Sequence, residues 1–166
     1  CTSKENGGNG FHTAAAVGAG SGTGQGRQFF TECQASRNTG HGFSLVGAEG
    51  TVERCSATSN SGDGINCGNQ TRVAFNNCSN NGFSIATGSN IHVIGTGCHI
   101  EGNTVSNADR GIDVDFASNL IIRNVASGNG TNFDIAANNK VGVIVAAPNS
   151  PAILGSAGGA GVGSTD

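Results

Sequence analysis

The stretch "IEGNTVSNADRGIDV", Ile100 to Val114, and the later "LIIRNVASGN", Leu120 to Asn129, carry one pattern twice. Both contain Ile-x-x-Asn-x-Val/Ala, at Ile100–Val105 and Ile121–Ala126, 21 residues apart. Each is followed by a short alternating run, "GIDV" from Gly111 and "NFDI" from Asn132. Alternation with period two describes a strand with one buried face. Strands this short, repeated at a fixed interval with Asn and Gly between them, require a chain that winds back over itself.

The alternating run recurs upstream as "GFHT" (Gly10–Thr13), "GFSL" (Gly42–Leu45), "GINC" (Gly64–Cys67) and "NIHV" (Asn90–Val93). Its first apolar members are Phe11, Phe43, Ile65, Ile91, Ile112 and Phe133, spaced by 32, 22, 26, 21 and 21 residues. A second inward column reads Phe30, Val52, Phe75, Ile100 and Ile121. Three residues beyond it come Cys33, Cys55, Cys78, Asn103 and Asn124, and two further on Ala35, Ala57, Asn80, Val105 and Ala126. Cys1 and Ser3 enter the same register one turn earlier. Asn6, Asn38, Asn60, Asn107 and Asn129 form a corner column, of a residue type that accepts φ > 0.

A period of about 21–22 residues predicts an all-β fold: a single-stranded right-handed parallel β-helix, or β-solenoid, of about six turns. It covers residues 1–145, with a C-terminal cap and a Gly/Ala/Ser-rich tail over 146–166. Ile153 and Leu154 are expected to cover the last rung. A leucine-rich repeat fits the period less well, because Leu is scarce and no segment has helical periodicity. The long intervals mark insertions at 14–28 and Gly82–Ser89, expected to project as loops.

Of the 166 residues, 36% are apolar, 11% are charged and 29 are Gly. Without periodicity such a chain would read as disordered; the register argues for a core. A net charge of −3 offers no polybasic surface, so nucleic acid and anionic membrane are poor partners and neither is expected. No apolar run is long enough for a membrane span. The chain has no Met and no signal pattern ahead of Cys1, so it is expected to be processed or part of a longer solenoid. Trp and Tyr are absent, and six of the eight Phe residues are expected in or beside inward columns.

With "NSGDGI", "NTGHGF" and the two quoted stretches in register, the chain resembles the right-handed parallel β-helix repeats of the pectin-lyase-like superfamily, including NosD-like repeats. The resemblance spans roughly residues 1–145. It implies the fold and a secreted or cell-surface bacterial setting. It leaves activity open, since such scaffolds serve lyases, glycosidases, epimerases and adhesins alike. It also implies an interior Asn ladder at one corner, in which Cys33, Cys55 and Cys78 replace Asn in the earlier turns.

Buried Cys as a small core filler is the first reading of these thiols. Disulfides between rungs and a zinc site are the alternatives. Stacked residues about 4.8 Å apart on a line disfavour both, because neither a tetrahedral metal nor a disulfide has that spacing. Cys67 belongs to an inward column, and Cys98 fits none. Lipidation is a second reading of Cys1.

The outward residues between inward pairs are His12, Ser44, Asn66, His92, Asp113 and Asp134, all expected to face solvent. A neighbouring column reads Asn9, His41, Asp63, Ser89, Arg110 and Thr131. The candidate catalytic set is Asp113, Asp134, Arg110 and His92, with His41 and Asp63 as a weaker pair. Two carboxylic groups one rung apart suit glycoside hydrolysis, and a base beside a cation suits uronate elimination. Asp113, Asp115 and Asp134 are candidate Ca²⁺ ligands, because Ca²⁺ takes hard oxygens; no other cofactor is expected. "GHG" (Gly40–Gly42) and "GDG" (Gly62–Gly64) echo polygalacturonases, but the adjacent Asp pair and the Arg-x-Lys motif are missing, so that activity is not carried over. An ice-binding face would need a flat Thr column, and none is evident.

Two functions are expected. The first is an extracellular module of structural or binding role, in adhesion or assembly, meeting other copies or upstream repeats through its open first turn. The alternative is a carbohydrate-active enzyme, a polysaccharide lyase or hydrolase, working on the Asp/Arg/His stripe.

Overall fold

The computed structural model describes residues 1–13, 27–47, 49–83, 87–142 and 145–146. Among these there is no helix, and therefore none long and apolar enough to cross a membrane. The chain is a parallel β-solenoid with three sheets visited in strict rotation. Sheet I stacks Thr2–Lys4, Gln34–Ser36, Ser56–Thr58, Asn77–Ser79, Thr104–Ser106, Val125–Ser127 and Val145–Ala146. Sheet II stacks Phe11–His12, Phe43–Leu45, Ile65–Cys67, Ser89–Val93, Arg110–Val114 and Thr131–Ile135. Sheet III stacks Gln28–Thr31, Gly50–Glu53, Arg72–Ala74, His99–Glu101, Leu120–Ile122 and Lys140–Val141. Five full turns of chain link the six rungs of sheet II, against the expected six or so.

Sheet II has the expected register, Phe11–Phe43–Ile65–Ile91–Ile112–Phe133, and its core residues from Phe43 onward are fully buried. The third turn differs from expectation by two residues. Val73, not Phe75, lies between Val52 and Ile100 in sheet III. Phe75 sits at the corner with φ 56° and is 49% exposed. Cys78 pairs with Ala57 and Val105 in sheet I, in the place expected for Asn80. A two-residue slip keeps every side chain on its own face, so alternation alone does not detect it. The expectation for Phe is corrected too: Phe29, Phe75, Phe83 and Phe116 are exposed. Phe11, Phe30 and Phe43 cluster with centroids 5.0–5.8 Å apart.

Hydrogen bonding decides the slip. Asn76, not Cys78, follows Cys55 at the corner before sheet I: the Cys55 amide donates to Asn76 Oδ1 (2.8 Å). Asn76 Nδ2 donates to Asn103 Oδ1 (2.9 Å), and Asn103 Nδ2 to Asn124 Oδ1 (2.9 Å). A second ladder runs from Asn6 through Asn38, Asn60 and Asn81. In the next rung Ala108, not the expected Asn107, occupies the ladder position, and Asn107 takes the positive-φ place before it. Asn90 bridges the gap, accepting from Asn81 and donating to Asn129. A third ladder, absent from the sequence reading, starts at Cys98, whose amide donates to Asn119 Oδ1, and Asn119 in turn donates to Asn139 Oδ1.

Each ladder residue follows a residue in the left-handed region: Glu32, Arg54, Phe75, Gly102 and Arg123 at one corner, Arg37, Ser59 and Asn80 at another. That conformation costs non-glycine residues roughly 1–2 kcal/mol. The buried amide bonds offset it. The insertion at 14–28 lies outside the described residues apart from its last two, as do 84–86 within the second insertion and the cap and tail from 147 on, Ile153 and Leu154 included.

Cys33, Cys55, Cys67, Cys78 and Cys98 are buried and unbridged, and Cys1 is exposed. Burial pushes the Cys78 thiol up to about 12. Iodoacetamide is expected to label Cys1 alone in the folded protein and all six thiols once it is unfolded without reductant; mass spectrometry reads both. Asn60→Ala would strip Asn38, Asn81 and the Ala35 carbonyl of partners. It is expected to cost about 3 kcal/mol in urea unfolding, and the outward Ser79→Ala less than about 0.5 kcal/mol.

Candidate functional site

The outward side of sheet II gathers charge because neighbouring rungs place equivalent residues directly over one another. Asn66, His92, Asp113 and Asp134 are successive Cα partners, and Ser89, Arg110 and Thr131 form the adjacent column. Asp115 follows two residues after Asp113 on the same face. The expectation that the outward column faces solvent is corrected in part: Ser44, Asn66 and Asp113 are buried, as are Asp63 and Ser89 of the neighbouring column, while His12 is exposed and His92 and Asp134 are half-buried. Short side chains stand between longer ones from adjacent rungs, which close over them.

His92 sits at the centre. Its Nδ1 lies 3.1 Å from Asp63 Oδ2, and its Nε2 lies 3.1 Å from Asp115 Oδ2 and 3.8 Å from Asp113 Oδ2. Burial alone would lower its pKa, but Asp63, Asp113 and Asp115 outweigh it and raise the ring to about 9. At neutral pH both ring nitrogens donate. Burial would raise Asp63, but His92, the Ser89 amide (2.8 Å) and Asn66 Nδ2 (3.1 Å) hold it below the ordinary carboxylate range. Burial keeps Asp113 above that range, although Arg110 and His92 pull it down.

His41 behaves differently. Its Nδ1 accepts the Asp63 backbone N–H at 2.9 Å, so that nitrogen carries no proton. The 3.4 Å approach of Asp63 Oδ2 to the same nitrogen is therefore proximity, not an ion pair. Burial pushes the His41 ring below its usual value. The His41–Asp63 pair is thus brought together, but with the ring neutral.

Arg110 spans two rungs. Its Nη1 donates to Asp113 Oδ2 (2.7 Å), and its Nε lies 3.2 Å from Asp134 Oδ2. Asp113 and Asp134 are therefore joined through one guanidinium. Of the three acids expected to attract Ca²⁺, Asp113 and Asp115 meet at His92, and Asp134 is held by Arg110. Asp63, Asp113, Asp115 and Asp134 carry four negative charges against two positive ones on His92 and Arg110, leaving the stripe at −2.

Ser89 was not singled out in the sequence, yet its amide binds Asp63 and its hydroxyl donates to Asp113 (3.2 Å). A second charged ladder on sheet III was missed altogether. Arg72 lies 2.9 Å from Glu53 and 3.9 Å from Glu101, and Arg123 lies 2.9 Å from Glu101. Outward positions of that sheet carry the signal, but only once the third-turn register is right. Comparison with family models, curated proteins and solved structures finds no match to this chain.

Because the folded pKa of His92 lies above its unfolded value near 6.5, its contribution to stability is complete below that pH and is lost as pH rises through about 9. The melting temperature is expected to fall over this window, and His92→Gln to flatten that slope. An unchanged slope in the variant, measured by circular dichroism, would refute the assignment.

Proposed function

We propose that this chain is an extracellular β-solenoid module with a binding role in adhesion or assembly, related in kind to the pectin-lyase-like repeats it resembles. The observation that carries this reading is the outward face of sheet I. Its two columns are Thr2, Gln34, Ser56, Asn77, Thr104 and Val125, and Lys4, Ser36, Thr58, Ser79, Ser106 and Ser127. Apart from Lys4 at one end, these two columns carry no charge, and the Glu5–Arg37 pair lies beyond them at the corner; sheets II and III carry charged ladders. Hydroxyl and amide groups repeated along a parallel sheet suit a neutral, hydroxyl-rich partner such as a polysaccharide, which offers hydrogen bonds at many points and no net charge. Further solenoid turns, from a longer chain or another copy, would continue the same face.

The catalytic alternative on sheet II draws less support. His92 has both nitrogens engaged, and one arginine already holds both Asp113 and Asp134. A stripe at −2 repels an acidic polysaccharide.

Retention on insoluble neutral polysaccharides tests the proposal. The triple variant Thr58→Lys, Ser79→Lys, Ser106→Lys is expected to weaken binding by at least about tenfold. Arg72→Ser on sheet III should leave it unchanged. Equal retention of the triple variant, or no retention of the unaltered chain on any neutral polysaccharide, would overturn the reading.

A further inference from the structure

We propose that His92, Asp113 and Asp115 form a binding site for a divalent transition metal ion, with Zn²⁺ as the type ion. One ligand atom from each of the three residues lies within 4.8 Å of the other two. The geometry is close to what the ion needs. Zn–N and Zn–O bonds of about 2.0–2.2 Å in a tetrahedron place ligand atoms about 3.4 Å apart. His92 Nε2 stands 3.1 Å from Asp115 Oδ2 and 3.8 Å from Asp113 Oδ2. An ion replacing the Nε2 proton therefore needs only small adjustments. His92 and Asp113 are Cα partners on adjacent rungs, so the backbone fixes their separation. Three protein ligands leave a fourth position for water or an oxygen of a polar ligand.

Two observations outside the trio point the same way. Asp63, 1% exposed, takes His92 Nδ1 and is itself fixed by the Ser89 amide and Asn66. A buried carboxylate on the distal nitrogen is what orients a metal-ligating imidazole. Asn66, the Cα partner of His92 one rung below, is 7% exposed, and its buried Oδ1 has no donor. Its Nδ2 is committed to Asp63, so the amide cannot turn round to cure this. The network carries more negative than positive charge, and a divalent ion in place of the Nε2 proton adds one positive charge.

The ligand set selects the ion. One imidazole with two carboxylates suits Zn²⁺, Co²⁺ or Ni²⁺. Ca²⁺ takes six to eight oxygens, which this site does not gather. Arg110 Nη1 (2.7 Å) and the Ser89 hydroxyl (3.2 Å) also donate to Asp113 Oδ2, so that oxygen would meet the ion while still anchored by them. Asp134, one of the acids first expected to bind Ca²⁺, lies outside the trio.

The chain, stripped with chelator, should be titrated with Zn²⁺ by calorimetry and with Co²⁺ by visible absorption. The expected result is about one equivalent bound, with a four- or five-coordinate nitrogen/oxygen Co²⁺ spectrum and no thiolate charge-transfer band. Asp115→Asn, at a side chain 46% exposed and so tolerant of change, should weaken binding at least tenfold. His92→Gln should abolish it, and Glu53→Gln on sheet III should leave it intact. Circular dichroism confirms the fold of each variant. No binding, binding that survives both Asp115→Asn and His92→Gln, a thiolate band that disappears with Cys1→Ser, or Ca²⁺ bound as tightly as Zn²⁺ would each overturn the proposal. These readouts are independent of polysaccharide retention on sheet I.

Discussion

The fold rests on the buried asparagine amide. At each corner the chain must turn with a left-handed residue, and the backbone groups on either side leave the sheet ladders. An Asn at the next position meets that demand from inside. Asn60 is typical: fully buried, it donates to Asn81 Oδ1 and to the Ala35 carbonyl, while its own Oδ1 takes the Asn38 amide and side chain. Buried amides are costly unless every bond is made, and here the neighbouring rungs make them. The same bond ties one turn to the next, so a local need for partners becomes a longitudinal staple.

The outer charges follow the same logic. Parallel stacking sets equivalent residues over each other, and His92, Arg110 and Arg72 each reach acids on two different rungs. The charged residues concentrate on sheets II and III, leaving most of sheet I neutral. The division of surface chemistry is thus a division by sheet, with each of the three faces running the length of the rod.

Much of this was legible in the sequence. Sheet II could be read rung by rung, because Gly or Asn before each run pins the register and, from Phe43 onward, both inward members are apolar. The stripe of His92, Arg110, Asp113 and Asp134 followed directly. Sheet III was less legible. In "TRVAFNNCSN" both Val73 and Phe75 are apolar at even spacing, and two Asn residues compete for the corner. Only the three-dimensional ladder chooses Asn76. Burial of the stripe was also hidden, since outward in a strand means exposed only when neighbouring side chains are short. Nothing in residue type announced that His92 would fold over Asp63, or that Ser89 would fasten two acids at once. Nor did the sequence show that Asn90 would stand in for a missing corner residue.

Among the described residues, each strand pairs only with its counterpart in the rung before and the rung after, and the Asn90–Asn129 bond reaches one rung further. No contact in such an arrangement measures the length of the whole. A segment of about 21 residues removed or duplicated in register would leave the remaining interfaces as they are, and stability would grow with the number of interfaces in place. The rod is in this sense a count of turns, free to change by whole units while its cross-section stays fixed.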